Sequence, residues 1–481
     1  MNLYPECESC DEQLWLAVPV REYDCVDDSS YENSLSSPVS YAWDWVLLGQ
    51  LSGSGPVWAV CEEPSYETSV AQADGGACDH REPAADTASP RPHKFELADV
   101  FRRCAAFVGR LSPHQRRTVG AIVGCRTPAM GTHRRFCEKC GYSEVAANSC
   151  RNRHCPKCQG LDEARWLSRQ MQDVLPVPYH HVVFTVAQEL HIFFRLAPKV
   201  AFQLLFTALA ETLQEVAARP SNLGARIGFT AILHTWNQRL GFHVHVHCIV
   251  PGGGLSEDGE RWVSAKPKFL FSVDVLSLVF RAKLLRALEL ASERGKFPVP
   301  KAEAAEARRQ AARKPWEVYS KPPMGGPEQV LRYLSRYTHR TAISNSRLVA
   351  MEDDRVTFRW HDRSDGNEVK LMTLAAVEFC QRFVQHIVPP GFHRIRHYGL
   401  LGNGVRRDAI ALCRKRLGEP PRPPRQSAEE PWWELYERVT GRALKKCPRC
   451  GGGPLVHELA ILAPRRRRWA VPASRPPPRA A

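Results

Sequence analysis

No stretch of this 481-residue chain approaches the ~20 consecutive apolar residues that cross a bilayer, and no charged-then-apolar signal segment opens it. A membrane protein and a secreted one are therefore not expected. The chain shows no internal repeat and no HExxH motif, which weakens a repeat scaffold and a zinc hydrolase alike. Basic residues are nearly missing from the first 90 positions, where Arg21 and Arg81 stand against 17 Asp/Glu, a balance near −15. Acid is thin afterwards. Of 66 Lys/Arg and 51 Asp/Glu in all, 64 and 34 lie beyond residue 90, a balance near +30. A surplus of that size, spread through globular sequence, favours a polyanionic partner.

Disulfides are not implied by the 17 cysteines. Three of the four CxxC pairs sit among lysines and arginines, which suits thiolates that hold metal in a reducing compartment. The fourth, Cys7/Cys10, lies in acidic sequence without a matching pair. Cys137-Glu-Lys-Cys140 and Cys155-Pro-Lys-Cys158 are 14 residues apart, and two such turns complete a tetrahedron around one zinc ion. Cys150 and His154 share that loop and are candidate additional ligands, or with Cys125 and His133 could serve a second ion. Cys447/Cys450 reads either as half of a further zinc site, for which no matching second pair follows and His457 is the nearby candidate, or as a plain thiol pair. Arg151, Arg153 and Lys157 place positive charge around the cysteine loop, as a phosphate-contacting surface requires.

Four regions follow from composition and pattern: an acidic extension over 1–92, a zinc-binding DNA-contact domain over 93–175, a catalytic domain over 176–415 and a Pro/Arg-rich tail over 416–481. The extension reads as disordered, or as an acidic tail over the basic groove. Helices are predicted over Phe95–Leu111, from Pro113 to Val123, and over 161–174, 195–218, Val273–Arg294, 327–339 and Leu374–Gln385. Strands are predicted over Tyr179–Val186, Arg226–Trp236 and Phe242–Val250, with a hairpin around Glu352-Asp-Asp354.

Two patterns carry the chemistry. His243, His245 and His247 alternate with Val244 and Val246, so a strand presents all three imidazoles on one face. Adjacent ones are roughly 6.6 Å apart at Cα and the outer two about 13 Å, so a pair must be chosen, and His245 with His247 is chosen. A third ligand is sought among His180, His181, Gln188 and His339. The other pattern is Tyr333-Leu-Ser-Arg-Tyr337, two phenols one helical turn apart beside Arg336 and Arg340. A tyrosine hydroxyl can attack phosphorus and keep one DNA end covalently, while a histidine-held divalent ion polarises the phosphate. The phosphotyrosine conserves the bond energy, so no nucleotide cofactor is expected.

These segments resemble the HUH-endonuclease, two-tyrosine, rolling-circle transposases of bacterial insertion sequences (the IS-ninety-one type) with an N-terminal zinc-binding domain. The likeness runs through Asn148–Cys158, His245–Gly254, Tyr333–Arg340, Ala342–Asn345 and Gly391–Arg396, in family order. The family usually has Pro where this chain has Val244. The resemblance implies an α+β fold with an antiparallel HUH-type sheet and flanking helices. It implies Mg²⁺ or Mn²⁺ at His245 and His247, Tyr333 and Tyr337 as nucleophiles, and structural Zn²⁺ at Cys137, Cys140, Cys155 and Cys158. It also implies single-stranded ends of a mobile element as the DNA partner, in the cytoplasm at the bacterial nucleoid. A replication initiator with the same chemistry, or a non-catalytic zinc DNA-binding regulator, are the alternative readings.

Overall fold

The structure is a computed structural model that describes residues 95–158, 173–266, 270–324, 329, 341–362, 364–420, 437, 446–452 and 455–461. The acidic extension up to residue 94, all but residues 173, 174 and 329 of the helices predicted at 161–174 and 327–339, and the Tyr333/Tyr337 pair lie outside these residues.

The described chain begins with α1 (Leu97–Arg103), α2 (Ala105–Gly109) and α3 (Pro113–Gly124). One helix was predicted where α1 and α2 stand. The break falls at Cys104, whose φ of −91° and ψ of 32° leave the helical region. α3 starts where its sequence says it should. Ser112 Oγ accepts from Gln115 N, Gln115 Oε1 accepts from Ser112 N at 3.2 Å, and Pro113 takes the first helical position. Next come β1 (Thr132–Phe136) and β2 (Ser143–Ala147), a hairpin inside the cysteine-rich stretch that periodicity did not disclose.

β3 (Tyr179–Thr185) is followed by α4 (His191–Leu196) and α5 (Pro198–Ala218). Pro198 lacks the N–H and rotational freedom to continue a helix through Ala197, which splits the single helix predicted at 195–218. β4 (Gly228–Trp236) and β5 (Phe242–Pro251) form the next hairpin, and the short β6 (Gly253–Leu255) and β7 (Trp262–Ser264) pair beyond it. Gly254 lets β6 lie close against the segment before β4, because a Cβ there would lie 2.3 Å from the Arg226 carbonyl oxygen. α6 (Val273–Glu293), α7 (Lys301–Ala312), β8 (Val318–Met324), β9 (Leu348–Glu352), β10 (Arg355–Asp362) and β11 (Glu368–Ala375) follow. The described elements end with α8 (Ala376–Val384), β12 (Ile395–Gly399), α9 (Arg406–Arg416) and β13 (Val456–Ile461).

The fold is α+β with antiparallel sheets, as expected. The central sheet runs β12-β4-β5-β3-β8, with every neighbouring pair antiparallel. Residues opposite one another in such ladders share a face. Phe184 lies opposite Val246, and its ring meets Phe280 of α6 at 5.0 Å. Phe229 stacks on Tyr398, which meets Phe206 of α5. That face is therefore the helix-covered one. The other carries Ile232, His234, His245, His247 and Ile249, and Ile232 and Ile249 join a core with Ile410 and Cys413 of α9. A second core joins Leu97, Val100 and Phe101 to Ile122, Phe358, Phe379 and Phe383, and it includes Cys125, Cys155 and Cys158. Phe101 and Phe383 meet edge to face at 5.4 Å. Among the described residues no helix is long and apolar enough to cross a membrane.

Candidate metal centres

The β4–β5 turn builds the histidine site. Asn237 Oδ1 accepts from the backbone N–H groups of Arg239 (3.0 Å) and Gly241 (2.8 Å), which closes a tight connection between Trp236 and Phe242. His386 lies beside this turn, with Nε2 3.2 Å from the Leu240 carbonyl oxygen and Nδ1 3.3 Å from Thr235 Oγ1. Burial holds its ring well below the usual imidazole range, at about 4. Trp236 pairs with Phe242, but His234 pairs with His245, so the ladder gains a residue between them.

That register brings His234 to His245 and His247. Their ligand nitrogens lie within 4.8 Å of one another. Ring centroids are 4.6 Å apart for His234 and His247, 5.5 Å for His234 and His245, and 4.9 Å for His245 and His247. His243 stands at the register shift and does not belong to the group. His245 Nδ1 lies 3.1 Å from the His243 carbonyl oxygen, and His247 Nδ1 lies 2.8 Å from His181 Nε2. Both contacts engage Nδ1, and a hydrogen bond at one ring nitrogen is how a metal-ligating imidazole is oriented. Burial pulls the His181 ring down to about 3, with Lys321 adding to the effect, so it stands neutral behind His247. Three imidazoles gathered this closely fit a divalent cation.

Among the described residues the third imidazole gathered with His245 and His247 is that of His234, which was not one of the four candidates named. His181 supports His247 from behind, and His339 lies outside the described residues. One signal could have pointed toward His234. Asn237–Gly241 reads as a hairpin turn that brings the two strands together, but regular pairing from Trp236 and Phe242 would set His234 opposite Val244, and the extra residue in β5 is what moves it to His245.

The cysteines require a correction. Cys137 and Cys140 do not join Cys155 and Cys158. Cys155 and Cys158 close with Cys125 and Cys150, while Cys137 and Cys140 close with Cys447 and Cys450. The reason is the β1–β2 hairpin, which carries the Cys137 turn away at its tip, between Phe136 and Ser143. Cys150 thus belongs to a cluster, as the sequence allowed. His154 does not. It is buried, lines a neighbouring pocket, and its ring is held well below the usual range by burial and then by Arg394 and Arg153. His133 faces Asn148 Oδ1 at 2.7 Å.

In the first cluster Cys125 Sγ lies 3.3 Å and Cys150 Sγ 3.5 Å from Cys158 Sγ. A tetrahedron with Zn–S of about 2.3 Å has edges near ~3.8 Å, so the set needs little rearrangement to take zinc. The crowded thiols titrate apart. Contact with Cys125 pulls Cys158 down and pushes Cys150 and Cys155 up, while Cys150 draws Cys125 down to about 7.

The three described cations differ in their engagement. Lys157 Nζ is held 2.6 Å from Glu96 Oε2. Arg153 donates to the Phe392 carbonyl oxygen. Arg151 is exposed, with φ +51°. Arg151 and Arg153 line a pocket of about 210 Å³ with His114, His154 and Pro389–Gly391, and none of the triad histidines lines it. Arg336 and Arg340 lie outside the described residues.

Comparison with known proteins closes on the same features. Residues 97–186 match a family model described as a transposase zinc-binding domain, and residues 228–409 match one described as a putative transposase. A cysteine-rich domain joined to a histidine-bearing antiparallel sheet is, in these terms, a zinc-binding transposase. A putative transposase of Sinorhizobium fredii, y4qJ, is 46% identical over 374 residues, covering 75% of this chain and 94% of the relative. The transposase for insertion sequence element IS801 of Pseudomonas savastanoi pv. phaseolicola is 27% identical over 340 residues, covering 66% and 78%. No solved structure matches the chain. The chain belongs to the two-tyrosine transposase family with an IS91-type zinc-binding domain.

Proposed function

We propose that the chain nicks and rejoins single-stranded DNA at the ends of an insertion sequence through 5′-phosphotyrosine intermediates, in rolling-circle transposition. The observation that carries this reading is the convergence of His234, His245 and His247 on one sheet face. A divalent ion bound there, Mg²⁺ or Mn²⁺, supplies charge that polarises the scissile phosphate. His181 and the His243 carbonyl orient two of the three rings toward that position. Tyr333 and Tyr337 are the nucleophiles of this reading. A phenol oxygen forms a bond to phosphorus, the bond to the 3′ oxygen breaks, and that oxygen takes up a proton. Rejoining reverses the exchange, with a 3′-hydroxyl displacing the tyrosine, and the second tyrosine allows a second end to be held meanwhile. Arg151, Arg153, Lys157, Arg336 and Arg340 are assigned to the DNA backbone. Cys125, Cys150, Cys155 and Cys158 are assigned a structural zinc.

The test is direct. Full-length protein, single-stranded element ends and Mg²⁺ are incubated and the products denatured. The expected result is a protein–DNA adduct that survives denaturation and disappears in the Tyr333→Phe/Tyr337→Phe double variant, which still binds DNA. An adduct formed by that variant refutes the mechanism.

A further inference from the structure

The second cysteine cluster lies in part beyond both matched family regions. Cys137 and Cys140 fall within 97–186, but Cys447 and Cys450 follow the end of the transposase match at 409. We propose that Cys137, Cys140, Cys447 and Cys450 hold a second zinc ion, closing a zinc ribbon whose two halves come from distant parts of the chain.

Four observations support it. The sulfurs form a compact set: Cys137 Sγ is 3.6 Å from Cys450 Sγ, Cys140 Sγ is 3.6 Å from Cys447 Sγ, and all four lie within 4.8 Å of one another. These separations match the ~3.8 Å edge of a zinc tetrathiolate with Zn–S of about 2.3 Å.

The two turns repeat each other. Each reads Cys-x-x-Cys-Gly, and the glycine N–H returns to the first cysteine's carbonyl, at 2.8 Å for Gly141 to Cys137 and 2.9 Å for Gly451 to Cys447. Gly141 has φ +69° and Gly451 φ +62°, the left-handed conformation that glycine adopts at least cost. A coincidental meeting of thiols has no reason to reproduce one backbone turn twice.

The sheet brings the halves together. β1 pairs with β2 on one side, Phe136 opposite Ser143, and with β13 on the other, Phe136 opposite Val456. The hairpin turn and the segment that leads into β13 are thus delivered to the same end of a three-stranded sheet. Cys137 and Cys447 are 3% and 2% exposed and pack with Leu455, so two of the four thiols are withdrawn from solvent.

The charge around the cluster also fits. A zinc ion with four thiolates carries a net −2, and Lys139, Lys446 and Arg449 are neighbours in sequence of its ligands. Tetrahedral sulfur sites take zinc or iron. No sulfur is shared with the Cys125 cluster, so the two metals are independent.

The test uses the full chain, purified under reducing conditions and washed with a chelator to clear weakly held ions. Elemental analysis should find two zinc ions per chain. The Cys447→Ser/Cys450→Ser variant should keep one, Cys137→Ser should lose the same one, and Cys125→Ser should lose the other. Two zinc ions retained by the Cys447→Ser/Cys450→Ser variant, one zinc in the wild type, or iron in place of the second zinc would overturn the proposal. If the variants fail to accumulate, cadmium replaces zinc in the wild-type chain and is read by cadmium NMR. Two resonances in the tetrathiolate range support the proposal and a single one defeats it. No readout depends on DNA cleavage, so failure here leaves the strand-transfer reading untouched.

Discussion

The histidine triad and the cysteine clusters are assembled by different routes. The triad comes from one hairpin: His234 and His247 are 13 positions apart in sequence, and the Asn237–Gly241 turn together with one extra residue in β5 sets their register. The second cysteine cluster joins sulfurs 307 and 313 positions apart through a strand added at the far end of the described chain. The first cluster is intermediate, spanning Cys125 to Cys158 and buried in a helical core. Ligands that share a hairpin are ordered by backbone pairing before any metal binds. Ligands from distant segments are ordered only when those segments meet, and metal binding then contributes to the folding itself.

The sharpest way to break this comparison is to remove a ligand from each kind of site. Cys125→Ser is expected to cost the most, because structural zinc binding contributes about 10–16 kcal/mol in small zinc domains and this cluster lies in the α1–α3 core. One of the two zinc ions should be lost and residues 95–158 should become protease-sensitive; a variant with native zinc content and protection would contradict the assignment. His234→Ala should instead leave the fold intact. Metal-stimulated nicking should fall about a hundredfold or more, the order that several kcal/mol of charge stabilisation implies. Unchanged cleavage with wild-type metal dependence would remove His234 from the site. His181→Phe keeps a ring behind His247 but offers no nitrogen to its Nδ1. Metal affinity should weaken by roughly 10–100-fold, measured as a shift in the Mn²⁺ concentration that half-saturates nicking.

Acid should sharpen the contrast more gently. Folding lowers His386 to about 4 from 6.5, so between those values the unfolded chain binds a proton that the folded chain refuses. Stability from this ring is present above pH 6.5 and is lost as pH falls toward 4, at about 1.4 kcal/mol per pH unit at most. Denaturation midpoints at several pH values should show a shallower acid decline in His386→Gln than in the wild type; parallel curves would deny the histidine this role. The smallest effect is expected from deleting residues 1–92, which precede the family match beginning at residue 97. Zinc content and nicking should be retained, and a truncated chain that fails to fold would show that the acidic segment is structural.

Much of this was legible in the sequence for physical reasons that can be named. The alternation through Phe242–Val250 disclosed β5, and Ser112-Pro113 with Gln115 disclosed the start of α3. Strand geometry showed that His243, His245 and His247 share a face and that two neighbours among them must be chosen, but not which two. What stayed hidden depended on partners far away in sequence. β1 and β2 are five residues each, and Arg134, Arg135 and Glu144 mask any apolar alternation. The cysteine grouping was misread because proximity in sequence favoured Cys137/Cys140 with Cys155/Cys158, while the hairpin separates them. His234 sits in a strand buried along its whole length, where a lone imidazole looks like core.

The order β13-β1-β2 also bears on how the protein is made. The ribosome delivers β1 and β2 early, yet the strand that completes their sheet ends at Ile461, 314 residues after Ala147. At bacterial elongation rates of about 5–20 residues per second, that interval lasts roughly 15–60 s. Throughout it, one backbone edge of β1 stays open on a nascent chain, the kind of edge that recruits other strands. Neighbouring copies on one messenger would be the nearest competitors for it, until β13 arrives and each sheet is closed by its own chain.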